Sequence, residues 1–228
     1  MAALGFKKLD AYSGPLSPMQ AAAGIQVAVE NARTLLADAQ SLFDAKRWPR
    51  AASLAILAIE EAGKIPLLRE LLVLPDSELK TAWRNYRSHT EKNVLGGFAE
   101  HVESSSNIED FRPLYDKDND KPRVLDAVKQ LGFYSDCLGK CHWSAPSEVV
   151  GEELAKSLLA TAGAIVPSSE SPMRSAAELE LWVKYLRPVW RKDMATMKRA
   201  LIDCYQEASD RGVLRGNLKV EDMVRFLL

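Results

Sequence analysis

The stretch AASLAILAIEEAGKIPLLRELLVL occupies residues 51–74 and decides the fold class. Its apolar residues cover nearly the whole circumference of a helix with about 3.6 residues per turn, which is typical of a buried helix at the centre of a bundle. Glu61 interrupts an apolar stripe that includes Leu57, Ile65 and Leu68. Burying a carboxylate without a partner is costly, so this position is a candidate for a functional role.

Proline and serine mark the ends of the neighbouring helices. Ser17 and Pro18 cap and open a helix predicted over residues 18–46, and Pro49 opens the central helix in the same way. The sequence Pro75-Asp76-Ser77 then ends that helix and starts another. This third helix is predicted from residue 78 to about 98–102, and an exposed loop over 104–123 follows. Apolar spacing predicts further helices over 124–138, 148–165, 176–209 and 220–227.

These patterns predict an all-α fold, since strand-like alternation is absent from the sequence. The short break after residue 74 indicates an antiparallel bundle of helices. We expect a single helical domain over residues 1–228, with a bundle core at about 18–106 and additional C-terminal helices at about 124–228.

Composition and charge limit the classes of function. The 228 residues are 47% hydrophobic, and no apolar run is long enough to span a membrane, so we expect a cytoplasmic protein without a membrane partner. The formal net charge of -1 gives no overall attraction to nucleic acid. Residues 78–92 carry a local excess of +2, from four basic and two acidic side chains. These are Lys80, Arg84, Arg87 and Lys92 against Glu78 and Glu91.

The segment Arg84-Asn85-Tyr86-Arg87-Ser88-His89 is the best candidate for a functional site. An imidazole can transfer a proton at a 2′-hydroxyl or a leaving oxygen, and a guanidinium can bind phosphate oxygens in two places. This pairing suits RNA cleavage without a metal ion. Arg84 and His89 lie about 140° apart around a regular helix, so one groove could use both only if two copies of the chain formed it. On spacing alone, an ordinary exposed helix surface is the commoner explanation.

The preceding helix supplies supporting residues. In an antiparallel hairpin around the break at 75–77, His89 lies level with Glu60, Glu61 and Lys64. We expect Glu61 to hold the imidazole of His89 in one tautomer. Glu60 and Lys64 are spaced for an i, i+4 ion pair on the same helix.

The cysteines give a weaker indication of a metal site. Cys137 and Cys141 are followed by His142, and an i, i+4 pair on a helix could share a metal ion. A fourth ligand is not evident, so we expect core thiols near a helix end instead, and no metal site.

Two segments resemble the AbiV family of abortive-infection proteins. They are AASLAILAIEEAGKI at 51–65 and RSHTEK at 87–92, and the later segment KQLGFYSD at 129–136 is also similar to the family. The resemblance extends over about residues 21–167. AbiV proteins belong to the HEPN group of helical, usually dimeric proteins, many of which are metal-independent ribonucleases. The resemblance therefore implies an HEPN-like antiparallel helical bundle.

The resemblance also implies roles for individual residues. The HEPN signature is an arginine, often a polar residue, a few more residues and a histidine, which Arg84, Asn85 and His89 match. Arg84 and His89 are then the catalytic residues, and Asn85 orients phosphate or the imidazole. Arg87 and Lys92 are candidate contacts to the RNA backbone, and Glu60, Glu61 and Lys64 support the site.

We therefore expect an endoribonuclease that acts as a homodimer on RNA, without a cofactor, in an anti-phage or toxin role. A phage protein or an antitoxin is a further possible partner. The alternative is a non-catalytic dimer that blocks translation by binding a phage or translation-related partner, which the near-neutral charge favours. A nucleotide-binding regulator that uses Lys64 and the arginines is a third hypothesis.

Overall fold

The computed structural model of the protein describes residues 10–97, 118–168, 171–216, 219–221 and 224. These residues form an all-α fold with one small β-hairpin, which confirms the predicted fold class. The elements are α1 (Pro18–Asp44), α2 (Trp48–Leu71), α3 (Asp76–Arg87), α4 (His89–Lys92), a 3₁₀ helix (Asn93–Gly97), α5 (Lys121–Phe133), β1 (Asp136–Leu138), β2 (His142–Ser144), α6 (Pro146–Val149), α7 (Glu152–Ile165), α8 (Ala176–Leu186) and α9 (Met194–Asp210).

The first two helices begin where the sequence predicts. The hydroxyl of Ser17 accepts a hydrogen bond from the backbone N–H of Gln20, and the Gln20 side chain accepts one from the backbone N–H of Ser17. This capping box starts α1 at Pro18. Pro49 lies in the first turn of α2. As predicted, α2 is buried on most sides and packs against α1, α5 and α7.

The third helix is shorter than predicted. It ends at Arg87, because Ser88 has an extended backbone with φ −73° and ψ 133°. The Ser88 hydroxyl then accepts a hydrogen bond from the backbone N–H of Glu91 and caps α4. His89 is therefore the first residue of a new helix rather than part of the helix that carries Arg84. The predicted extension over residues 98–102 lies outside the described residues.

Several later elements also differ from the predictions. Residues 121–123 of the predicted loop belong to α5, and residues 104–117 lie outside the described part of the chain. The predicted helix over 124–138 ends at Phe133 and is followed by the hairpin. The segment 148–165 is divided between α6 and α7, and 176–209 between α8 and α9. Of the predicted last helix, only residues 220, 221 and 224 are described, and they are helical.

Helices α1 and α2 join two hydrophobic clusters. One cluster contains Ile25 and Leu68 together with side chains of α8 and α9. The other contains Ala39 and Ile56 with side chains of α5 and α7. None of the described helices is long and apolar enough to cross a membrane.

A buried carboxylate fixes the segment that leads into α8. Glu178 is fully buried and accepts hydrogen bonds from the backbone N–H groups of Met173, Arg174, Ser175 and Arg215 and from the Ser175 hydroxyl. Burial alone raises the pKa of Glu178, but the hydrogen bonds from these donors outweigh it and hold the pKa below its ordinary value.

Candidate active site

Glu60 lies at the centre of a buried polar cluster. It occupies α2, and only 2% of the residue is exposed. Its Oε1 atom lies 2.6 Å from Nζ of Lys129, and Oε2 lies 2.7 Å from Nδ1 of His89. Nζ of Lys92 is 3.8 Å from Oε2. The cluster thus joins α2, α4 and α5 through one carboxylate.

Two ammonium groups balance two carboxylates in this cluster. Lys129 is also 2.7 Å from Asp126 Oδ1, so it has an acidic partner on either side. Burial lowers the pKa of Lys129, but hydrogen bonds to Asp126 and Glu60 outweigh burial and raise it above its ordinary value. Burial lowers the pKa of Lys92, and the charge of Glu60 opposes this only in part. The formal charges of Glu60, Asp126, Lys92 and Lys129 sum to zero.

Two glycines let the backbones come close enough for these contacts. A Cβ atom on Gly63 would lie 2.1 Å from the carbonyl oxygen of Lys92, so glycine is required where α4 crosses α2. A Cβ atom on Gly132 would lie 2.3 Å from the hydroxyl of Ser53. That hydroxyl is 3.0 Å from the carbonyl oxygen of Lys129 and donates to it. The glycine of the Glu-Glu-Ala-Gly-Lys element therefore brings His89 and Lys92 to Glu60.

The contact with Glu60 determines the tautomer of His89. A carboxylate accepts hydrogen bonds, so Nδ1 of His89 donates to Oε2 across 2.7 Å. The neutral ring then has its lone pair on Nε2, which forms no hydrogen bond with any described residue. The imidazole side chain is 55% exposed, although its partner carboxylate is buried. A histidine held in this way presents a base to the solvent in a fixed orientation.

Arg84 and Asn85 lie on α3, just before the break at Ser88. Arg84 is exposed and forms neither a hydrogen bond nor an ion pair with the described residues. Asn85 is half-buried and lines a cavity of about 360 Å³ together with Gly63 and Glu91. Since the helix breaks between Arg84 and His89, the predicted angle of about 140° does not apply to these two side chains.

Two predicted RNA contacts have other partners. Arg87 is exposed, but it donates to the carbonyl oxygens of Trp83, at 3.1 Å, and of Tyr12, and its guanidinium lies over the Trp83 ring. Lys92 is only 6% exposed and faces Glu60. Arg87 thus fastens the segment before α1, and the Lys92 ammonium is withdrawn from the surface.

The ion pair predicted between Glu60 and Lys64 on α2 is wrong. Lys64 forms an ion pair with Glu61 at 2.5 Å, not with Glu60, and its ammonium lies 5.8 Å from the centre of the Tyr86 ring. Glu60, not Glu61, holds His89. The predicted level of His89 against these residues was close, but in the described part of the chain it is Glu60, not Glu61, that contacts the side chains of α4.

The oxygens and nitrogen of Glu60, Asp126 and His89 also have the donor set of a metal site. One ligand atom from each lies within 4.8 Å of the others. However, Nζ of Lys129 lies 2.6 Å from Glu60, 2.7 Å from Asp126 and 3.3 Å from Nδ1 of His89. A metal ion could bind these three ligands only if the Lys129 ammonium moved away.

Asp126, Lys129 and Asn93 also belong to the cluster, although no role was predicted for them from the sequence. Asn93 is fully buried, and its amide lies 3.4 Å from Oε1 of Glu60. Lys129 shares the buried face of α5 with Leu125 and Gly132. A lysine on the apolar face of a short helix is a signal that could have indicated a buried acidic partner.

The cysteines lie on the hairpin rather than in the core. Cys137 is in β1, opposite Trp143 of β2, and both Cys137 and Cys141 are exposed. Their sulfur atoms are 3.5 Å apart. The expectation of core thiols is wrong for this pair, because α5 ends at Phe133 and does not bury them.

Comparison with known families identifies the chain. The family model HEPN_AbiV, described as AbiV, matches residues 20–167. The protein belongs to the AbiV family of the HEPN superfamily. The matched range runs from α1 to just beyond α7, and it includes Arg84, His89, Glu60 and Lys129. No curated protein and no solved structure matches the chain significantly.

Proposed function

We propose that this AbiV protein is a metal-independent endoribonuclease that acts as a homodimer in the cytoplasm, in an abortive-infection role. The observation that carries the proposal is the contact between exposed His89 and buried Glu60. This contact leaves Nε2 as the basic nitrogen. Arg84, exposed on the adjacent helix, has a guanidinium that is available for phosphate.

The proposed reaction uses the 2′-hydroxyl of RNA as the nucleophile. Nε2 of His89 takes its proton, O2′ forms a bond to phosphorus, and the P–O5′ bond breaks. Arg84 stabilises the charge on the phosphate oxygens in the transition state. A second imidazole, from another copy of the chain, protonates O5′. The products are a 2′,3′-cyclic phosphate and a 5′-hydroxyl end.

The structure alters the roles proposed for the supporting residues. Glu60 orients His89, and Glu60 in turn forms ion pairs with Lys129 and Lys92. Glu61 and Lys64 form a separate pair beside this cluster. Because the break at Ser88 removes the geometric argument for two chains, the homodimer is proposed from the family resemblance alone.

Cleavage of single-stranded RNA by the purified protein, in the presence of EDTA, tests the proposal. We expect His89→Ala to lower the rate by about 100-fold or more, as loss of a general acid–base residue does. His142→Ala is the matched control, since His142 is an exposed histidine on the hairpin. Equal rates for His89→Ala and the wild-type protein would disprove the assignment. Size-exclusion chromatography with light scattering tests the dimer, which both variants should retain.

A non-catalytic binding protein is the second candidate. Arg87 is exposed but donates to backbone carbonyl oxygens, and Lys92 is buried against Glu60, so Lys80 and Arg84 are the exposed basic residues of the 78–92 segment without a partner among the described residues. So small a patch favours a protein partner over RNA. Dimers that bind RNA weakly and yield no cyclic phosphate ends would support this candidate.

A further inference from the structure

A cavity of about 300 Å³ lies between α2, the end of α7 and the segment before α8. Its apolar walls include Ile65, Pro66 and Ile165. Its polar lining includes Arg69, Arg174 and Tyr205. Tyr205 and the segment before α8 lie beyond residue 167, so the region matched by the AbiV family forms only part of the cavity. The cavity shares no residue with the cluster around Glu60.

Among the described residues, several guanidinium groups lie near one another at this cavity. Burial lowers the pKa of Arg174, and three neighbouring guanidinium groups lower it further, while Glu178 opposes them. The three groups belong to Arg33, Arg69 and Arg215. The oxygens of Glu178 already accept five hydrogen bonds, so its charge is dispersed over those donors. In a chain with a net charge of -1, the four guanidinium groups and the one carboxylate that the described residues place here give a local excess of positive charge that attracts anions.

Two polar groups at the cavity have unused donors. The guanidinium of Arg69 donates through Nε to Met173 and through Nη2 to Pro172, both to carbonyl oxygens, at 2.9 and 2.8 Å. Its Nη1 has no hydrogen-bond partner among the described residues, and no described carboxylate forms an ion pair with it. The hydroxyl of Tyr205 likewise has no partner in the described ranges. Tyr205 lies close enough to Arg69 for the two groups to influence each other's pKa.

We propose that this cavity binds a small organic anion with an apolar body. The phosphate or carboxylate head accepts hydrogen bonds from Arg69 Nη1 and the Tyr205 hydroxyl, near the positive charge of Arg174. The apolar body lies against Ile65, Pro66 and Ile165. A cavity of about 300 Å³ is at the lower end of the usual size of ligand sites and fits a molecule as large as a mononucleotide.

Calorimetric titration with two series of probes tests the proposal. One series consists of the four common nucleoside 5′-monophosphates, and the other of aryl-substituted carboxylic acids with chains of two to five carbons. We expect at least one series to bind, and the series that binds identifies the head group. Adenosine and inorganic phosphate are the neutral and the headgroup-only controls, and both should bind at least 10-fold more weakly. Absence of binding by both series, or equal binding of either control, would overturn the proposal.

Variants locate the bound probe. Ala164 lines the cavity and is exposed, so Ala164→Phe narrows the opening without disturbing the core. We expect it to weaken binding at least 10-fold. Ala160→Phe is the matched control, because Ala160 is exposed one turn earlier on α7 and does not line the cavity. Tyr205→Phe should weaken binding about 3- to 10-fold through loss of one hydrogen bond. Unchanged affinity in both Ala164→Phe and Tyr205→Phe would overturn the assignment to this cavity.

Discussion

Replacement of Glu60 by glutamine removes the negative charge that Lys92, Lys129 and His89 share. The side chains of Glu60, Lys129 and Lys92 are only 3%, 5% and 8% exposed. Lys129 keeps Asp126 as a partner in the variant, but Lys92 loses the carboxylate with which it forms its ion pair. Breaking a buried ion pair from one side costs about 3–5 kcal/mol. Because one of the two ammonium groups remains paired, we expect a loss near the lower end, about 3 kcal/mol.

Glu61→Gln is the matched control for this change. Glu61 and Lys64 are 16% and 21% exposed and form a pair within one helix turn, so the loss should be below about 1 kcal/mol. Urea denaturation, monitored by circular dichroism, measures the free energy of unfolding of both variants. In thermal melts, Glu60→Gln should unfold about 6–12 °C below the wild-type protein. Equal losses in the two variants would show that Glu60 does not hold the cluster together.

Two further substitutions test the backbone contact and the carboxylate before α8. Gly63→Ala should destabilise the protein by about 2 kcal/mol or more in urea denaturation, because its Cβ would lie 2.1 Å from the Lys92 carbonyl oxygen. Gly163→Ala is the control, because Gly163 lies on an open face of α7, and this change should stabilise the protein by up to about 1 kcal/mol. A greater loss of stability in Gly163→Ala than in Gly63→Ala would contradict the close contact. The lowered pKa of Glu178 stabilises the folded state fully above the unfolded pKa of about 4.3, and this contribution is lost as the pH falls through the lower folded pKa. The difference in unfolding free energy between the wild-type protein and Glu178→Gln should therefore narrow from pH 6 to pH 3, and a constant difference would contradict the assignment.

The sequence predicted the elements whose local signals are strong. Residues 51–74 are apolar on nearly all sides, and the pattern of Ser17, Pro18 and Pro49 marks helix starts that need no tertiary contact. The break at Ser88 was missed because neither glycine nor proline marks it. Yet Ser88 and Glu91 have the spacing of a capping box, and that pattern could have placed a helix start at His89.

The hairpin and the partners of Glu60 could not be predicted from local patterns. Each strand has only three residues, too few for an alternation of apolar and polar side chains. The contact between Glu60 and Lys129 joins positions 69 residues apart, and it depends on how α5 packs on α2. Periodicity identifies the face of a helix that is buried, but it does not identify the residue of another helix that it meets.

The order of the cluster along the chain has a consequence for protein synthesis. His89 follows Glu60 by 29 residues, and Lys129 follows His89 by another 40. A ribosome therefore adds the imidazole to the chain well before it adds the ammonium group that pairs with the carboxylate. A nascent or prematurely terminated chain that stops short of α5 lacks Lys129, so the complete cluster forms only after more than half of the 228 residues have been made.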